Sequence, residues 1–188
     1  MHKYITLEGI DGCGKSTLAK DISQELNLKH LYEPSNGEIG QIIRKKLFSK
    51  ENLENLALLY IADRIENTKN IKENTIVERC FLSTMVYNSD NIDMSGILDL
   101  HKKLKVRIPD VIIYLELDPK VSMQRIDKKN KDIFENEEFL TKAIGKYEDA
   151  IKLTLSYFPD IKIIRINAND DYLNVRNKVI TKILNNLR

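Results

Sequence analysis

Tryptophan is absent from these 188 residues, and glycine, proline and cysteine number only seven, four and two. Two cysteines far apart, Cys13 and Cys80, give neither a disulfide framework nor a paired zinc pattern. A reduced, cytoplasmic setting is therefore expected. No apolar run is long enough to span a bilayer, so no membrane partner is expected. The N-terminus lacks a signal-peptide core. Charges nearly balance, at +2 net, so composition gives no reason to expect a nucleic-acid partner. Repeats, low-complexity tracts and Gly/Ser linkers are missing too. The length suits one domain over 1–188 with a sizeable core.

The first twenty residues, by contrast, are dense in signal. Tyr4–Leu7 is a strand-like run. Gly9-Ile10-Asp11-Gly12-Cys13-Gly14-Lys15-Ser16 fits G-x-x-x-x-G-K-[ST], and Thr17 continues into an amphipathic pattern at Leu18, Ala19, Ile22 and Leu26. Strand, glycine loop and helix start in that order make a phosphate cradle. Glycines let backbone N–H groups turn inward, and the helix points its positive end at the anion. Lys15 suits the β/γ oxygens of a triphosphate such as ATP, and the Ser16 hydroxyl suits Mg²⁺. The plain alternative is a flexible surface turn.

Further strand-like runs lie near Leu28–Tyr32, Thr75–Val77, Val111–Leu117 and Ile161–Ile166, with helical patterns between them. This alternation predicts an α/β fold with a parallel sheet covered on both faces. The runs near 111 and 161 are almost continuously apolar and read as central strands. A long helix is predicted over 53–73, one from Asp118-Pro119 onward with Asp118 as its cap, and one at the C-terminus.

Ligands of such sheets gather at the carboxyl ends of the strands. There, Glu78-Arg79 offers a carboxylate for Mg²⁺ and a planar fork for phosphates, or else an exposed ion pair. Arg64 falls on the apolar stripe of its helix one turn after Tyr60. The pair suits a nucleobase, or Arg64 snorkels at the core edge. Asp11 suits a sugar hydroxyl or merely stabilises the loop. Arg125, Lys128, Lys129 and Lys131 suit a closing lid over 125–136 that delivers cations to a transferring phosphoryl group, or a solvated face.

Gly9–Ser16, Glu33-Pro34, Tyr60-Ile-Ala-Asp-Arg64, Glu78-Arg79 with Leu82-Ser-Thr84, the run from Pro109 to Pro119, and Phe134-Glu135 together resemble the thymidylate kinase family, in order and spacing across nearly the whole chain. The resemblance implies a three-layer α/β/α P-loop kinase with five parallel strands ordered 2-3-1-4-5 and a lid. It implies transfer of phosphate from Mg-ATP to dTMP, giving dTDP, usually in a homodimer. Catalysis would fall to Lys15, Arg79 and Arg125. ATP would sit on Gly9 to Thr17, with Asn167-Ala168 near adenine. The acceptor would meet Asp11, Glu33, Tyr60, Arg64 and Arg79, and the metal would meet Ser16 and Glu78.

Three departures from the usual pattern stand out, together with one position at which the family itself varies. Glu78-Arg79-Cys80 replaces Asp-Arg-Tyr, no arginine follows Glu33-Pro34 in Ser35-Asn36-Gly37, Met85 stands where a polar base-facing residue is common, and Gly12 occupies a site where some members carry arginine. Two rivals remain. A deoxynucleoside kinase would use Glu33 as general base on a hydroxyl. A non-catalytic nucleotide-binding module would need none of the catalytic set.

Overall fold

Five apolar runs become five parallel strands in the computed structural model, which describes residues 2–50, 53–89, 91–126 and 137–187. The strands are β1 (Tyr4–Glu8), β2 (Lys29–Tyr32), β3 (Thr75–Glu78), β4 (Val111–Glu116) and β5 (Lys162–Asn167), and the sheet order is β2-β3-β1-β4-β5. The described helices are α1 (Lys15–Glu25), α2 (Glu38–Ser49), α3 (Leu56–Thr68), α4 (Phe81–Tyr87), α5 (Met94–Lys103), α6 (Pro119–Arg125), α7 (Glu137–Tyr157) and α8 (Tyr172–Leu187). Helix α1 packs with α8, while α3, α4, α5 and α7 pack with one another, and the right-handed rule for parallel crossovers puts the two groups on opposite faces of the sheet. The result is the expected three-layer α/β/α sandwich.

β4 fits the expectation for a central strand, being nearly all buried beside the wholly buried β1. β5 does not. It is an edge strand, paired only with β4, and exposes Lys162, Arg165 and Asn167. The predicted helix over 53–73 is shorter at both ends. Asn55 enters α3 in left-handed backbone, at φ 60°. After Thr68 a turn closes from Ile71 N–H to Thr68 O, and Ile71 leaves the helix line to bury against Tyr4 and Val77. Asp118 caps α6 as expected, its Oδ1 accepting from Lys120 N–H at 2.8 Å. Of the lid segment 125–136, residues 127–136 lie outside the described residues.

All strands being parallel, Glu8, Tyr32, Glu78, Glu116 and Asn167 end on one rim. β1 is central, so the loop after it opens in the middle of that rim.

Candidate active site

The chain from β1 to α1 wraps a phosphate-sized cradle. Gly12 has φ +76°, and a Cβ there would sit 3.1 Å from both Ser122 O and Oγ. Ser122 itself donates from Oγ to Asp11 O at 2.6 Å, tying α6 to the loop. The first turn of α1 has no side-chain cap, so its backbone N–H groups face the cradle. Lys15 is buried beneath, its Nζ donating to Gly9 O at 2.8 Å and Ile10 O at 2.9 Å.

Two hollows meet at this rim. One, of about 550 Å³, runs along Asp11 to Leu18, Glu78, Arg79, Arg125, Ala168 and Tyr172. The other, of about 440 Å³ and more apolar, is lined by Glu33, Tyr60, Cys80, Ser83, Thr84, Tyr87 and neighbours. Asp11 and Arg79 line both. The sequence-predicted Lys15, Ser16, Glu78, Arg79 and Arg125 thus gather on the first hollow, and Asp11, Glu33, Tyr60 and Arg79 on the second.

Arg79 is fixed by its neighbours. Its backbone is left-handed, at φ 69°, a conformation that costs a non-glycine residue about 1–2 kcal/mol. Its N–H is held by Leu7 O at 3.0 Å, its Nη1 donates to Ser83 Oγ at 3.2 Å, and its Nη2 pairs with Asp11. Burial opposes the guanidinium charge, but Asp11 first, with Tyr147, Tyr87 and Glu8 behind it, together outweigh burial and hold the pKa well above the usual range. Beneath it lies Glu8, wholly buried. This carboxylate accepts from Cys80 N–H at 2.6 Å, Ser83 N–H at 3.1 Å, Ser83 Oγ at 2.7 Å and Tyr147 Oη at 3.0 Å. From sequence, Glu8 is placed at the ligand edge but given no role, and Tyr147 is not singled out. The one available signal was an acidic residue closing an otherwise apolar strand.

Arg64 does not face a hollow. It is completely enclosed, with Nε donating to Glu33 Oε1 at 2.8 Å, Nη2 to Glu33 Oε2 and to Thr84 Oγ1 at 3.0 Å, and Nη1 to His101 Nε2 at 2.9 Å. Snorkelling is therefore excluded, because the charge points inward to partners. Burial pushes the Glu33 carboxyl up, to about 7, against the pull of Arg64. Burial first, and Arg64 second, push His101 down to about 3. His101 Nδ1–H donates to Ile97 O at 2.7 Å, which leaves Nε2 as the acceptor for Arg64. Glu33, at the rim of the second hollow, is thus held by a helix behind it.

The Pro34-Ser35 turn is pinned from both sides. Asp63 accepts from Ser35 N–H at 2.7 Å and Ser35 Oγ at 2.6 Å. Arg44 of α2 donates to Pro34 O and Ser35 O, both at 2.6 Å. The turn carries no arginine of its own, but one reaches it from ten residues on. Met85 is fully buried in the core and lines neither hollow. Its neighbour on α4, Thr84, does line the second hollow. Cys80 lines the second hollow but is otherwise enclosed.

Ser16 Oγ donates to Glu78 Oε2 at 2.6 Å. Two hard oxygen donors beside a phosphate cradle match what Mg²⁺ takes from a protein when phosphates and water supply the rest. Arg125 closes α6 and donates to Ala168 O at 2.9 Å and Asp170 O at 3.3 Å, bridging to the loop after β5. Its guanidinium therefore frames the far end of the first hollow.

The sheet order, and a glycine loop on the central strand facing a second hollow, place the chain among P-loop kinases of the nucleoside monophosphate type. The family model described as thymidylate kinase matches residues 7–179. A probable thymidylate kinase of Methanococcus aeolicus is 42% identical, with 98% of this chain and 96% of that protein covered. Another, of Methanocaldococcus jannaschii, is 39% identical over 77% of this chain and 79% of its own. Among solved structures, thymidylate kinases of Candida albicans (TM-score 0.74, 21% identity, 98% and 92% covered) and Ehrlichia chaffeensis (TM-score 0.68, 23% identity, 97% and 98% covered) share the fold. The chain belongs to the thymidylate kinase family.

Proposed function

We propose that this protein phosphorylates dTMP to dTDP with Mg-ATP, as one domain whose lid spans 125–136. The observation that carries the reading is the shared wall: Asp11 and Arg79 border both hollows, so two nucleotides can meet head to head between them. In this reading ATP lies along Gly9, Ile10, Asp11, Gly12, Cys13, Gly14, Lys15, Ser16 and Thr17 with adenine toward Ala168, and dTMP fills the second hollow.

The chemistry needs little proton transfer, because the acceptor phosphate is itself the nucleophile. Positioning and charge neutralisation do the work. Lys15 lies under the loop within reach of phosphate oxygens. Arg79, held by Ser83 and Asp11, grips the acceptor phosphate between the hollows. Arg125 adds positive charge from the donor side. Ser16 and Glu78 would hold Mg²⁺, which would supply positive charge against the phosphates. Tyr60 offers a flat face to thymine, and Asp11 a carboxylate to the deoxyribose hydroxyl. Arg64 contributes from behind the wall, holding Glu33 and Thr84 in place.

A homodimer is part of the reading. Ile42 and Phe48 on α2 and Leu58 on α3 stand exposed, Phe48 at 92%, and a second copy would cover them. A cytoplasmic setting agrees with two free, buried cysteines. No described helix is long and apolar enough to cross a membrane.

The test measures ADP release with ATP and a panel of dTMP, dUMP, other monophosphates and thymidine. Strong stimulation by dTMP is expected. Preference for thymidine would identify a deoxynucleoside kinase, and no stimulation by any acceptor would identify a binding module.

A further inference from the structure

Glu78 is held from two directions. Oε2 accepts the Ser16 hydroxyl, and Oε1 accepts Nε2–H of His30 at 2.7 Å. His30 is on edge strand β2, where it pairs with Ile76 while Tyr32 pairs with Glu78. Alternation along strands puts His30 and Glu78 on the same face, one diagonal step apart. Both side chains are largely covered, Glu78 more than His30. His30 lines neither nucleotide hollow. It borders a shallow hollow on the outer side of β2, with Leu31, Tyr32 and Asn67.

A carboxylate on a long, rotatable stem loses conformational entropy when it is fixed. A partner on its second oxygen supplies that order in advance, as outer-sphere groups do for metal ligands. We propose that His30 is a positioning residue: it anchors Oε1 of Glu78 so that Oε2 stays turned to Ser16 and the magnesium position. The inference rests on the assignment of Ser16 and Glu78 to the metal.

The experiment uses the full chain with Mn²⁺ and a non-hydrolysable ATP analogue, and reads bound Mn²⁺ by electron paramagnetic resonance. No acceptor is present. His30→Leu is expected to weaken Mn²⁺ binding by about tenfold and to raise the Mg²⁺ needed for half-maximal turnover by a similar factor. KM for dTMP should stay within about twofold, because His30 is remote from the acceptor hollow. His30→Gln, which keeps a donor at the Nε2 position, should restore most of the affinity. In a Glu78→Asp background the shorter side chain cannot reach His30, so His30→Leu should add nothing there. Wild-type Mn²⁺ affinity in His30→Leu would overturn the inference, as would equal losses in the Leu and Gln variants or full additivity in the double mutant. If His30→Leu does not fold, His30→Val, which also lacks a donor, decides in the same two backgrounds: weaker Mn²⁺ binding with Glu78 and no further loss with Glu78→Asp are expected, and unchanged binding with Glu78 overturns the inference. Glu78→Gln with unchanged Mn²⁺ binding sinks both the metal assignment and this inference. Tight Mn²⁺ binding through Glu78 with a different preferred acceptor sinks only the proposed substrate.

Discussion

Arg64 and Glu33 close on each other through two parallel N–H···O bonds, and almost nothing of either side chain reaches solvent. Their position behind the acceptor hollow makes the pair a structural strut first. Removing one member leaves an uncompensated buried charge, which typically costs about 3–5 kcal/mol. Arg64→Ala should therefore lower the urea midpoint markedly at neutral pH. Glu33→Ala should do the same. A variant of either kind that unfolds at the wild-type midpoint contradicts the strut.

Arg79 is different, because it borders both hollows and is a quarter exposed. Arg79→Ala should cut turnover by about 100- to 1,000-fold, the usual effect of losing one preorganised donor. The loss should appear in steady-state assays at saturating ATP and dTMP while the melting temperature stays close to wild type. Near-normal turnover would falsify the placement of Arg79 on the transferring phosphoryl group.

Gly40 lets α2 approach the acceptor wall. A Cβ there would lie 1.9 Å from Ser35 O. Gly40→Ala must therefore push the turn that carries Glu33 and Pro34, at a cost of about 1–3 kcal/mol for such overpacking. KM for the acceptor should rise while KM for ATP stays put, since the ATP loop lies on another strand. Equal changes in both constants would count against this division.

His101 makes stability sensitive to acid. Its folded pKa is depressed from 6.5 to about 3, so between these values the unfolded chain binds a proton that the folded one does not. Stability is therefore present above pH 6.5 and falls as pH drops toward 3, by about 1.4 kcal/mol per pH unit at the steepest. Glu33, whose carboxyl is raised to about 7, works in the opposite sense between pH 7 and 4.5, so the His101 part is read as the difference in urea midpoint between wild type and His101→Gln at pH 7.5 and at pH 5. His101→Gln, which keeps an acceptor for Arg64, should flatten this component while lowering stability slightly at pH 7.5.

The loop Gly9–Ser16 is legible from sequence because its glycines, Lys15 and Ser16 are contiguous, although Ser122 and Arg79, which brace it, are not. Strands β1 and β4 are legible because burial on both faces demands an unbroken apolar run. β5 misleads for the same reason: Ile163, Ile164 and Ile166 look central, yet a parallel edge strand packed on one side by α8 needs much the same residues. Local spacing flags Arg64 as anomalous but cannot supply its partner, because Glu33 lies 31 residues away on another element. Glu8 and Tyr147 are harder still, meeting across 139 residues only after the sheet and α7 have assembled. Arg44 escapes notice because it reaches the Pro34-Ser35 turn from α2.

Asp11 and Arg79 belong to both hollows at once. On the proposed reading neither nucleotide is bound in energetic isolation, since whichever arrives first sets the charge and posture of the partition that greets the second. Thermodynamic reciprocity requires the factor by which one alters the other's affinity to be identical in both directions. That factor, and its collapse toward unity when the partition is altered, is a measurable property of this chain that neither single-nucleotide titration could reveal.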